Sequence, residues 1–461
     1  MPMNRDHLII VGAGMAGLCA AVEASAAGAK VIVLEKQAEI GGSSLLSGCF
    51  MAFAETDFQK KLGIEDSTES LMEDFLAVGQ HKNNRKLIEA YGAHQLATYN
   101  WLVDQGVQFQ TCQAVSGHSN PRGHTIIPSQ AIGQLRANAT VNGVVIKTNV
   151  PVVRLLKDNE HVVGVIYEEN GEPIELYSDI GVLLTAGGFS QSEELLEQFA
   201  PQLANTVRLG GAGNSGDGIK LAASAGAWLE DFAYLKGTYG FHPTSTNNYK
   251  RQAHTFYKGG IIVNEQGKRF VNESISYKLL GDAALQQTNC KTYQVWDQTV
   301  MDKSVSNDAL YDFDLLYREG LIIRFETLAE LAKKVGLPVE ALQQTITTYN
   351  ADVKKGRDTA FGRTSLTHKF GTPTAIETAP FYMMETATAM LATYAGVQVD
   401  ERAHVLNPFG EPIKGLYAAG EMVGGFHGAG YMTGSSLGKA AIFGRIAART
   451  ALQANTQEVV K

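Results

Sequence analysis

The chain has 461 residues, 44% of them apolar and 19% charged, with a formal net charge of −8. That length supplies two or three domains and a substantial core, and an acidic balance with no Lys/Arg run excludes nucleic acid as a partner. The four cysteines, Cys19, Cys49, Cys112 and Cys290, form no CxxC pair, which excludes a disulfide framework, a zinc site and a covalently attached haem.

The first predicted element is a short continuous apolar run at residues 7–11 (HLIIV), the pattern of a strand buried on both faces. It is entered without a basic leader or a small-residue cleavage site, and no run of about 18 apolar residues follows. The expectation is a cytoplasmic protein with no membrane span and no metal. Gly12-Ala13-Gly14-Met15-Ala16-Gly17 comes next, then an Ala-rich helix over 18–27 and a second strand over 30–34 (KVIVL). Together these form a βαβ unit. Residues 66–105 read as helices, and 144–146, 150–156, 162–167 and 182–185 as strands. From about Thr238 to Pro380 the chain mixes a strand at 260–263, helices at 328–334 and 339–350, and polar loops, with no nucleotide fingerprint. A strand at 415–419 and a helix at 435–450 return to the first pattern. The fold class expected is α/β: a discontinuous Rossmann-type domain (1–237 and 381–461) with an inserted α+β capping domain (238–380).

The first glycine motif sits between a strand and a helix, as a dinucleotide site requires. Gly12 permits the tight turn, Gly14 lets the backbone approach a pyrophosphate, and Gly17 allows close helix–strand packing. The helix N-terminus then faces the phosphates. Glu35 ends the second strand where a ribose-hydroxyl acceptor belongs. A second match, Gly211-x-Gly213-x-x-Gly216, lacks both the preceding buried strand and the following acid, and reads as a turn into a helix capped near Asp217. Gly41-Gly42-Ser43-Ser44 offers donors and bare backbone to a second phosphate or a ribityl chain. Ala419-Gly420-Glu421 and Gly434-Ser435-Ser436-Leu437 close a strand and open a helix whose N-terminus would favour negative charge on a reduced flavin. These segments point to FAD rather than NAD.

Taken together, these segments resemble the flavoprotein family of fumarate reductases, succinate dehydrogenase flavoprotein subunits, 3-ketosteroid dehydrogenases and urocanate reductase. The resemblance spans nearly the whole chain and includes His242-Pro243-Thr244, Gly259-Gly260-Ile261-Ile262-Val263-Asn264, Arg269-Phe270-Val271-Asn272-Glu273 and Leu416-Tyr417-Ala418-Ala419-Gly420-Glu421. It implies an active site between the FAD and capping domains. The FAD set it implies, with the motif, is Gly12, Gly14, Ala16, Gly17, Glu35, Lys36, Gly42, Ser43, Ser44, Val153, Ala186, Gly187, Glu421, Ser436 and Leu437. No histidine lies between Ser43 and Leu46, where some members attach the flavin, so noncovalent FAD is expected.

The chain departs from fumarate reductases where they hold two carboxylates. Tyr277 and Tyr431 stand at positions of substrate-binding arginines, and residues 391–395 (LATYA) lack the histidine. A dicarboxylate would lose hydration without gaining compensating charge. Asn272-Glu273-Ser274-x-x-Tyr277 and Tyr431-x-Thr433 resemble the ketosteroid dehydrogenases instead. There one tyrosine moves the α-proton and a second holds the carbonyl.

The catalytic set expected is therefore Tyr277, Tyr431, Thr433, the Gly434 amide and His242, with His124, His427 and Tyr394 as further candidates. The reaction expected is α,β-dehydrogenation of a cyclic ketone, or the reverse ene reduction, with an unidentified electron acceptor or donor. Two alternatives stay open: an enoate reductase with nonstandard anchors, and a noncatalytic flavin-binding subunit or sensor.

Overall fold

In the computed structural model, residues 5–204, 206–245, 251–367 and 370–459 are described. The apolar runs form a six-stranded sheet in the order His404–Leu406, Pro412–Ala418, Val182–Leu184, His7–Val11, Lys30–Leu34, Val145–Lys147. All neighbours are parallel except the His404–Leu406 edge pair. Register is fixed by side chains buried on both faces, with Ile9 opposite both Ile32 and Val182. The helix Met15–Ala26 covers one face and packs on the C-terminal helix Ser435–Val459. The crossing is close: a Cβ on Gly444 would lie 2.3 Å from the Ala16 carbonyl oxygen. An antiparallel sheet of Val152–Asp158, His161–Glu169 and Glu172–Tyr177 flanks this unit.

The second unit is built on the ten-residue strand Phe381–Met390. It pairs antiparallel with Thr292–Asp297, Ile323–Phe325 and Thr238–Phe241, and parallel with Val207–Arg208. This corrects the expected boundary at 380. The chain leaves the second sheet only after Met390, because the hydrogen bonds of 381–390 are spent there. Val207–Arg208, placed by sequence in the first unit, pairs there too. Behind this sheet Arg269, from the RFVNE stretch, bonds both Glu273 (2.6 and 2.8 Å) and Asp358 (2.9 and 3.0 Å). Arg363 donates to the Gly260 carbonyl at 3.0 Å. The motif thus contributes a buried ionic scaffold to the second unit. Among the described residues no helix is long and apolar enough to cross a membrane.

Candidate active site

One continuous cavity runs from the first glycine turn to Tyr277 and Tyr431. At its first end the wall is mostly backbone. Gly12 has φ +104°, and a Cβ there would lie 2.5 Å from the Thr185 carbonyl oxygen. On Gly17 it would lie 2.0 Å from the Gly12 carbonyl oxygen, so only glycine lets the helix sit against the turn. Gly14 differs: a Cβ would meet nothing nearer than Ser44 Oγ at 3.6 Å. Gly14 lines the cavity, as does Ala16. That space lies at a helix N-terminus with no acid in its first turn, the setting that favours a pyrophosphate.

Glu35 lines the same end, its carboxylate held by the N–H groups of Ala13 and Gln37, both at 2.9 Å. Ser44 Oγ accepts from the Met15 N–H (3.1 Å) and Ser43 Oγ from the Gly211 N–H (3.1 Å). The second glycine loop is therefore a wall of this cavity, with Gly211, Gly213, Asn214 and Asp217 lining it. The helix after it, Asp217–Ser224, is capped by Gly216 at φ +82° without a side-chain bond; Asp217 lies in its first turn and accepts from Lys36 Nζ. Lys36 also reaches Ser215, so its charge is spent on protein rather than left for phosphate.

Ala186, Gly187, Gly42, Ser436 and Leu437 line the cavity as well. Glu421 does so with both carboxylate oxygens bonded by Asn214 Nδ2, at 2.9 and 3.1 Å. Burial pushes its carboxyl above the usual range. Val153 is a correction. Its side chain is 42% exposed, while Val150 and Val152 line the cavity. Strand alternation turns 153 to solvent when 152 faces in.

The other end is made of side chains from distant segments. The Tyr277 and Tyr431 ring centroids are 6.1 Å apart, and Tyr394 stacks on Tyr431 at 4.8 Å and 12°. Tyr394 holds φ +55°, a left-handed conformation that costs a bulky side chain about 1–2 kcal/mol; it brings the third phenol into the stack. Thr433 Oγ1 donates to the Tyr277 hydroxyl at 3.4 Å. Gly434 has φ +85° and lines the cavity beside them.

The two phenols differ electrostatically. Burial, and then the neighbouring Tyr431, push Tyr277 well above the ordinary phenol value, opposed by the Thr433 hydroxyl. Burial also raises Tyr431, but the hydroxyls of Tyr394 and Ser435 and the amides of Ser436 and Gly434 oppose the shift. Tyr431 thus faces a helix N-terminus able to support negative charge.

Two predicted histidines lie elsewhere. His242 bonds Thr244 Oγ1 through Nδ1 at 2.8 Å and is not in the cavity wall. Its strand ends at Phe241, and the loop turns its ring back on its own backbone. His124 is buried among Phe53, Phe58, Tyr99 and Phe109, bonded to Thr56 Oγ1 at 2.8 Å; it packs an aromatic core. His427 stands behind the phenols, its ring 4.6 Å from Tyr394 and 5.2 Å from Tyr431. Burial holds it well below the usual imidazole value.

Residues that sequence reading missed are His254, Gln252, Thr238 and Lys278, all lining the cavity. His254 is 1% exposed, its ring lies 5.2 Å from that of Tyr277 at a 43° tilt, and neither ring nitrogen has a hydrogen-bond partner among the described residues. Burial lowers it to about 3. Lys278 had a legible signal: it falls on the face of the helix Tyr277–Leu285 that carries buried Gly281. His254 had none, because it lies in a loop between strands. Among the described residues no arginine lines the cavity.

A family model described as FAD binding domain matches residues 7–437. The chain belongs to this family. A fumarate reductase (cytochrome) from Shewanella frigidimarina is 31% identical over 458 residues, covering 98% of this chain and 77% of that protein. The structure is similar to the open conformation of a flavocytochrome c3 fumarate reductase (TM-score 0.80, 27% identity, 98% of this chain and 79% of that one). It is equally similar to 3-ketosteroid-Δ4-(5α)-dehydrogenase from Rhodococcus jostii RHA1 in complex with 4-androstene-3,17-dione (TM-score 0.80, 26% identity, 98% and 97%). The chain is an FAD-dependent oxidoreductase of the fumarate reductase family.

Proposed function

We propose that the protein is an ene-reductase for an α,β-unsaturated ketone, the cyclic enones being the class it fits best. One observation carries this: among the described residues the substrate end presents three phenols and no arginine. Phenols and amides match a carbonyl oxygen, whereas a dicarboxylate needs two fixed cations. The ketosteroid dehydrogenase of the same fold, solved with a ketone, supports the reading.

When bound, reduced FAD supplies two electrons as hydride to the β-carbon. The chain's own residues do the rest. Tyr431, with the Gly434 amide, donates to the carbonyl oxygen, where the electron pair arrives as enolate. Tyr277 gives its phenolic proton to the α-carbon, and Thr433 hydrogen-bonds its oxygen. Burial keeps the Tyr277 phenol protonated at neutral pH, the form that proton delivery to the α-carbon uses.

The test is stopped-flow reoxidation of the reduced holoenzyme by 2-cyclohexenone-type acceptors and by fumarate. Fast reoxidation by the enone and little or none by fumarate is expected; efficient fumarate turnover would refute the reading. Acid precipitation should leave yellow FAD in the supernatant, because no histidine lies at Ser43–Leu46. Flavin pelleting with the protein would show a covalent bond.

A further inference from the structure

Lys278 is 2% exposed and lines the substrate end, yet among the described residues it forms no ion pair. Its Nζ donates to Thr238 Oγ1 at 2.7 Å and to the Lys236 carbonyl at 3.4 Å, both neutral acceptors. The nearby acids are engaged: Asp282 pairs with Lys236, and Glu421 accepts from Asn214 and from the Thr393 N–H. The ammonium lies 5.2 Å from the Tyr394 ring centre and 5.7 Å from that of Tyr431. Glu421 and Asp282 act on it only from beyond ion-pair distance, so a cation held directly by a hydroxyl, a carbonyl and two ring faces lacks the contacting counter-charge that burial demands. FAD phosphates do not supply it, since their cradle is at the opposite end of the cavity.

We infer that Lys278 anchors a single anionic oxygen, a carboxylate or phenolate, carried by the substrate beside its enone. The inference rests on the enone reading and narrows it. One cation and three phenols select a monoanionic ketone over a dicarboxylate. Burial lowers Lys278 to about 7 in the empty site, so anion binding is full below that value. It falls by up to about tenfold per pH unit above it, as the ammonium loses its proton.

The titratable groups around Lys278 are Tyr277 and Asp282 on its helix and Lys236 beside Thr238. Tyr394, Tyr431, Glu421 and His427 complete the set. Lys439, lowered to about 8, lies outside the cavity lining and donates to the Val423 carbonyl; it is present in both proteins compared below.

The probes are 3-oxocyclohexane-1-carboxylate and its methyl ester, titrated into oxidised holoenzyme and read by flavin absorbance. Wild type should bind the acid about tenfold or more tightly than the ester near pH 6, the margin closing toward pH 9 while ester affinity stays flat. Lys278→Met should erase the margin at every pH. Equal binding of acid and ester by wild type, or a margin that survives in the variant, overturns the inference. If the variant loses FAD, the wild-type pH series decides alone. The corresponding unsaturated probes separate the two readings: acid preference without reoxidation of reduced flavin removes the enone reaction and keeps the anchor.

Discussion

The two ends of the cavity are made of different material. The FAD end is mostly backbone, shaped by Gly12, Gly14 and Gly17 within six residues of each other and closed by the Gly211–Gly216 loop. The substrate end is mostly side chains, drawn from Thr238, His254, Tyr277, Lys278, Tyr394, Tyr431 and Thr433. Backbone geometry binds what every family member shares, and a change there removes the cofactor. On the proposed function, side chains set what this member turns over, and a change there should leave the cofactor in place.

The largest expected effect lies at the backbone end. Gly14→Val should yield colourless apoprotein, because the added methyls occupy the pyrophosphate space; a variant that purifies with full flavin absorbance would put the phosphates elsewhere. At the side-chain end, Tyr277→Phe should keep FAD and lower turnover by about 10²–10⁴, the usual worth of a positioned proton donor. Steady-state kinetics on the true acceptor would show a fall in kcat with KM nearly unchanged. Tyr431→Phe should cost about 10²–10³ and also weaken phenol-type enolate mimics, measurable by flavin spectral titration. If both variants run at wild-type rates, the phenols are not the catalytic groups.

The smallest effect belongs to Lys36→Met, which removes the link to Ser215 and Asp217. That pair is partly exposed, at 21% and 42%, and such bridges contribute up to about 1 kcal/mol. FAD affinity should fall no more than about fivefold by the same measure. A total loss would mean that Lys36 contacts the phosphates directly.

The same division explains what the sequence reveals. A turn that needs positive φ and a methyl-free approach writes glycine at fixed spacing, so the first glycine motif is legible. The second match shows the limit. Gly211–Gly216 has the spacing without the strand, and only three dimensions show it serving as a wall of the same cavity. Val153 shows another: the strand is evident from its apolar run, but which of two adjacent valines faces inward depends on the pairing of its neighbours. His242 belongs to a recognisable triplet, yet the site's unpaired imidazole is His254, twelve residues on in a loop that carries no pattern. Tyr277 and Tyr431 stand out only because arginines are expected in their places. The RFVNE stretch stands out for its ion pairs with Asp358 and Arg363, which hold the sheet and not the substrate.

The 3.4 Å contact between Thr433 and Tyr277 joins residues on opposite units. Tyr277 opens a helix packed on the second sheet. Thr433 stands just before the helix that begins at Ser435 on the first. The proposed proton donor is therefore registered against the proposed carbonyl donor only while the two units are together. An acceptor thick enough to hold them apart separates the tools needed for its own reduction. Such a molecule would bind and perturb the flavin spectrum yet act as an inhibitor. On the proposed roles, substrate size is measured by the assembly of this pair and not by a rigid wall.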